Sequence, residues 1–134
     1  MANEAVIIEL LGNGGDPIQF VCVDADAFPK GTILKLSDNR EADLSAADGN
    51  VCAGICAMEK VALDGSLRVT AYTNGIFDLL EGAAAPIGVG VPVTINGANT
   101  IKAAAAGEAE TGDIMGYALA AFAGSDTQSV RVFR

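Results

Sequence analysis

The sequence predicts a mostly β protein: a small β-barrel or β-sandwich of about eight to ten short strands, an N-terminal arm, and at most one or two short helices. Three observations predict it. Short apolar, β-branched runs recur at fairly even spacing. Sixteen glycines and several Asn-Gly or Asp-Gly pairs punctuate them. No segment sustains the 3.6-residue apolar period over the length of a long helix.

Residues 5–11 (AVIIELL) read as a strand or arm, and Gly12 to Pro17 break it as a hinge. Residues 1–17 are therefore expected to form an arm and Gly-rich hinge, and residues 18–134 a single β domain. IQFVCVD at 18–24 suits a buried strand, and KGTILKL at 30–36 a second. The carboxylates of Asp38, Glu41, Asp43 and Asp48 suggest a polar loop, with a helical turn at 44–47. VCAGICAMEKVA at 51–62 is strand-like, and Gly54 marks a bulge or a close neighbour. After the Asp64-Gly65 turn, SLRVTAY at 66–72 alternates as a half-buried strand, and GIFDLL follows Asn74. Residues 82–88 read as loop or brief helix. VGVPVTI at 89–95 and NTIKAA at 99–104 flank Asn96-Gly97-Ala98, the strongest hairpin signal. DIMGYALAAF at 113–122 and the terminal SVRVFR complete the set.

The order of pieces repeats. Gly31-Thr-Ile-Leu-Lys-Leu is followed by Gly54-Ile and then Leu67-Arg68-Val69. Gly90-Val-Pro-Val-Thr-Ile is followed by Gly116-Tyr and then Val130-Arg131-Val132. A duplicated β unit, 31–72 and 90–134, is expected.

Composition narrows the partners. Eight basic and 17 acidic side chains give a formal charge of −9. Nucleic-acid affinity rests largely on Lys and Arg displacing counterions, so nucleic acid and anionic membrane surfaces are not expected. The short apolar run after the N-terminus lacks the flanks of a signal peptide and the length to span a bilayer. Cys22, Cys52 and Cys56 are odd in number, and a Cys52–Cys56 spacing along a strand is about 13 Å, too far to bridge. Free, buried thiols are expected.

Chemistry is sparse. With no His, the commonest general base and the ordinary Cys/His zinc site are missing, and no catalytic residue, cofactor or metal ligand is expected. Asp24 and Asp26 form a D-x-D pair, but two acids bounding a turn are usually solvated. The 38–50 segment lacks calcium-loop spacing, and Glu108 and Glu110 read as exposed. GNGGD at 12–16 and Gly88-Val-Gly90 lack the following helix that a phosphate cradle needs. Two segments carry more apolar character than loops need, which points to protein contacts. The expected partner-contact or self-association residues are Val6, Ile7, Ile8 and Leu10 on the arm, available for β-augmentation, and Pro86, Ile87 and Val89.

KGTILKLSDN at 30–39, NVCAGICAMEK at 50–60, NGIFDLLEGAAAPIGVGVPVTI at 74–95, DIMGYALAAF and SVRVFR together resemble the tailed-phage capsid decoration (head cement) proteins. Gly31, Gly54, Gly75, Phe77, Gly90, Val93, Gly116, Ala118, Leu119, Val130 and Val132 fall on that family's pattern over residues 30–134. Pro92, Tyr117 and the stretch 1–29 depart from it. The resemblance implies a homotrimer made in the host cytoplasm. It would bind the major capsid protein on the outer surface of the virion and stabilise that lattice.

GTILKLSDN is also similar to small β-clip domains, which implies the alternative of a ligand- or carbohydrate-binding module with a concave pocket. A carboxylate-only hydrolase is the third class.

Overall fold

A computed structural model describes residues 3–134, and among these the chain is all β, with eleven strands and no helix. The count exceeds the eight to ten expected because Glu41–Leu44, expected as acidic loop, is a strand. Its Ala42 points inward while its carboxylates flank it.

The N-terminal segment is an integral part of the sheet. β1 (Val6–Leu10) pairs antiparallel with β7 (Asn74–Glu81), so the expected arm is an edge strand. The expected hinge is fastened too. The Gly15 carbonyl accepts the Thr73 and Asn74 amides, and Thr73 Oγ1 donates to the Asp16 carbonyl at 2.7 Å. Residues 1 and 2 of the expected arm lie outside the described residues.

The remaining strands form two closed sheets. In the first, β2 (Ile18–Val21) runs parallel to β4 (Glu41–Leu44) and antiparallel to β6 (Arg68–Tyr72). There β3 (Ile33–Asp38) and β5 (Cys52–Cys56) complete the ring. In the second, β7 runs parallel to β9 (Thr100–Ala103) and antiparallel to β11 (Thr127–Phe133). Its ring is completed by β8 (Pro92–Gly97) and β10 (Gly116–Ala118).

The two rings share one pairing plan, residue for residue. Leu34 faces Leu44 and Gly54, as Val93 faces Ala103 and Gly116. The bulge between Leu36 and Asp38 has its counterpart between Ile95 and Gly97. Val21 opposite Glu41 matches Leu80 opposite Thr100. The isolated bridge Phe28–Lys60 matches Ile87–Phe122. Each unit begins earlier than the expected 31 and 90, because β2 and β7 belong to the rings. The last strands also align differently from the Arg-Val echo: Tyr72 opposite Ile55 corresponds to Arg131 opposite Tyr117, so Arg68 and Arg131 are not counterparts.

Turn chemistry explains two further departures. The hairpin expected at Asn96-Gly97-Ala98 turns instead at Ala98-Asn99, because Gly97 still pairs with Thr100 and Asn99 takes φ 54°. Asn tolerates that left-handed backbone better than most residues. No helical turn forms at 44–47; the Asn50 side chain accepts the Ala46 and Ala47 amides in its place.

Alternation along β3 and β5 joins the rings. Ile33 and Ile55 enter the larger core with Phe77, Leu79, Val93, Ile95, Ile101 and Val130, while Leu34 and Cys56 enter the smaller one with Phe20, Phe28 and Val69. β5 is therefore buried at every position, and CAGIC reads as an unbroken apolar run.

Candidate interaction surface

β1 divides the expected contact residues by face. Val6 (57% exposed) and Ile8 (52%) face solvent, whereas Ile7 and Leu10 are half-buried and pack on the larger core. Ile8 is the extra residue of a bulge, since Ile7 faces Phe77 and Glu9 faces Ile76. A bulge re-aims side chains and twists an edge.

Pro86 and Val89 are exposed, and Val89 is 69% so. Ile87 turns inward, against the exposure expected of a contact residue. It is 2% exposed, its amide and carbonyl both bond Phe122, and it fills the second ring as Phe28 fills the first. A short run such as APIGV does not reveal which of its residues turns inward; the bridge to Phe122 decides it.

The Asp24–Asp26 pair surrounds an ammonium. Lys60, 4% exposed, sends its Nζ to the carbonyls of Asp24 (2.9 Å), Asp26 (3.1 Å) and Val61 (3.3 Å). Asp24 Oδ1 and Asp64 Oδ1 lie at 3.5 and 3.3 Å from it. Asp24 Oδ1 also accepts the Gly65 amide at 2.9 Å, and the Leu63 amide donates to the Asp24 carbonyl. One cation thus ties loop 23–27 to loop 57–67. The Ser66 amide, foremost, holds the Asp64 carboxyl below its ordinary range. Among the described residues no cluster of three or more His, Cys, Asp or Glu is arranged to hold a metal ion.

The counterpart in the second ring inverts the charge. Phe122 stands in the place of Lys60, and buried Glu81 stands in the place of Cys22. Glu81 Oε1 accepts the Ala83 amide at 2.5 Å and its Oε2 accepts the Ser125 amide at 2.7 Å. Both rings therefore close an end around one buried polar side chain whose atoms are hydrogen-bonded, as burial of a polar group requires.

The three thiols are free and buried. Burial pushes Cys52 up to about 12 and Cys56 to about 11, and it raises Cys22 as well. On the opposite flank Lys102 joins Asp48 (2.9 Å) and Glu108 (3.3 Å), and the hydrogen bond to Asp48 is the chief cause of its raised pKa. Glu108 is thereby partnered and half-buried where exposure was expected, while Glu110 is exposed.

Loops 23–27 and 57–67 also carry exposed Val23, Met58, Val61, Leu63 and Leu67, none of which was singled out from sequence. The available signal was MEKVALDGSL, whose apolar residues flank an Asp-Gly turn without strand alternation. Between the rings runs a groove of about 280 Å³ lined by Ile18, Phe20, Leu36, Ala53, Phe133 and Arg134, among others. Tyr117 forms a tilted ring pair with the groove residue Phe133, with centroids 5.9 Å apart and an interplanar angle of 46°.

Among the described residues no helix is long and apolar enough to cross a membrane. No protein-family model matches this chain, and no curated protein gives a significant match to it.

Proposed function

We propose that this protein is a structural capsid decoration protein: it docks on the outer surface of an icosahedral virus head, as a trimer, and stabilises the major capsid protein lattice. The observation that carries the reading is the outer face of β1, an edge strand whose Val6 and Ile8 are exposed although only one neighbour pairs with it. An edge strand is a template for pairing with another chain; natural edges are blunted by charge, bulges or shortness, and β1 carries one bulge. Here Glu9 is the one charged residue of the strand.

The resemblance supports the same reading from another direction. The residues that carry it are mostly structural, such as Gly54 and Gly116 at matched positions and Val93, Val130 and Val132 in the core, so they bear on the fold more than on docking. The charge of −9 suits an outward surface away from packaged nucleic acid. Modest contacts per subunit would be multiplied by lattice repetition.

The test is sedimentation of purified protein with expanded, empty phage heads, alongside light-scattering mass. A trimer that co-sediments, and loses binding on Val6→Ser with Ile8→Ser, is expected. A monomer that ignores the heads would remove the proposal. The inter-ring groove favours a second reading, a small ligand-binding module, which calorimetry against oligosaccharides would support and which would leave the β1 variant without effect.

A further inference from the structure

We propose that the end of the first ring built around Lys60 is a docking site for a second kind of protein partner, one that offers an apolar face bordered by Lys or Arg. The proposal is independent of the capsid reading and uses a different surface from β1.

The molecule contains its own control. Loops 23–27 and 57–67 expose Val23, Met58, Val61, Leu63 and Leu67, with Leu63 75% exposed. By the shared pairing plan, their counterparts in the second ring are Gly82, Ala120, Ala123, Ser125 and Asp126. The backbone matches at these sites: Cys22 N–H to Leu67 O repeats as Glu81 N–H to Asp126 O, and Leu63 and Ser125 take φ 58° and 56°. At these five sites the same architecture therefore closes with small or polar side chains, its large apolar residues being buried Phe122 in the place of Lys60 and Leu119 in the place of Ala57. The exposed apolar side chains of the first ring are not required by the fold, and exposing them costs solubility for no structural return.

The loops are also held in place. Leu63 keeps a left-handed backbone that suits Gly or Asn better, fixed by its amide bond to Asp24 O and by the Lys60 cage next to it. A fixed apolar surface binds with less ordering cost than a mobile one.

Charge selects the partner. Asp24, Asp26, Glu59 and Asp64 border the patch. Of the two cations on these loops and the strand that follows, Lys60 is buried among carbonyls and Arg68 stands at the β6 margin. A depression of about 230 Å³ lies beside Met58, with Glu59, Lys60, Asp64, Ser66 and Arg68 among the residues on its walls. Its two carboxylates are matched by two cations, so the acidic excess of the patch comes from Asp24 and Asp26. A second copy would bring carboxylates against carboxylates, so self-association through this end is disfavoured, as is an anionic lipid surface.

The experiment is an amide-shift NMR titration of the full chain with a synthetic amphipathic Leu/Lys helical peptide, set against a Leu/Glu peptide of equal length. The Leu/Lys peptide is expected to move signals of 23–26 and 58–67 and to leave 82–85 and 120–126 in place. Exchanging Met58→Ala and Leu63→Ser, the second ring's own residues, is expected to weaken binding roughly tenfold. Glu59→Gln should weaken it at low salt only. Equal response to the Leu/Glu peptide, equal response of both ends, no shift at millimolar peptide, or full affinity in the variants would overturn the proposal. So would shifts of 58–67 that follow protein concentration alone, which would make the surface a self-contact. Thermal melts check that the double variant folds. Met58→Ala alone, at an exposed position, keeps the test open if it does not.

Discussion

Asn99 and Ile33, 66 positions apart in the chain, are joined by a 2.8 Å hydrogen bond in which the buried Ile33 amide donates to the Asn99 side-chain oxygen. The Asn99 amide in turn donates to Ser45 Oγ at 3.0 Å. One side chain in the β8–β9 turn of the second ring thereby satisfies the first strand of the hairpin in the other ring. Replacing Asn99 by Ala removes the acceptor from a buried amide and strains a backbone at φ 54°. A loss of about 1–3 kcal/mol in urea unfolding is expected, with Asn99→Gly recovering only the backbone part. Wild-type stability in Asn99→Ala would refute this role.

Gly54 and Gly116 hold the same place in the two rings. A Cβ on Gly54 would lie 2.5 Å from the Tyr72 carbonyl oxygen, and one on Gly116 would run into the Arg131 carbonyl. Alanine at either is expected to cost at least about 2 kcal/mol. Gly49→Ala, where nothing lies within 4 Å, should cost about 1 kcal/mol or less through its positive φ alone. Equal losses at all three sites would show that backbone freedom, and not close approach, fixes these glycines.

Lys60→Met removes a donor from the carbonyls of Asp24, Asp26 and Val61, of which Asp24 keeps the Leu63 amide. We expect about 1–3 kcal/mol of destabilisation and faster amide exchange at Leu63 and Gly65, whose bonds go to Asp24. Unaltered exchange there would mean that the loops hold without the cation.

The thiols predict an alkaline limit. Cys52 and Cys56 titrate higher folded, at about 12 and about 11, than unfolded, so the folded state keeps protons that the unfolded state loses. Their contribution is complete below the unfolded thiol pKa of about 8.5 and declines as pH rises from there through the folded values. Chemical unfolding at stepped pH should show stability falling above that point, with less fall in Cys52→Ala. A thiol reagent should label the native chain slowly and the urea-unfolded chain fast; rapid native labelling would contradict burial.

Surface and core separate at two expected contact segments. Val6→Ser with Ile8→Ser should stay within roughly 0.5 kcal/mol of wild type per exposed site, whereas Ile87→Ala should cost about 2–5 kcal/mol. Comparable losses in the two would place β1's outer face in the core.

The β class, the buried thiols and most strand positions were legible because they are local properties. Alternation in SLRVTAY, the glycine in VCAGICAMEK and the Asn-Gly and Asp-Gly pairs act within a few residues of themselves. The intervals from Gly31 to Gly54 and from Gly90 to Gly116 likewise correspond to matched pairings. Tertiary structure decided what depends on distant partners. Whether Ile87 turns in rests on Phe122, and whether residues 5–11 float or pair rests on β7. Glu41–Leu44 is a strand because β2 and β3 flank it, against its acidic composition. Which exposed apolar residues the fold can do without emerges only when the two rings are laid on one pairing plan. Sequence carries the period of a strand, but the closure of a ring is fixed by hydrogen bonds between strands that the chain places far apart.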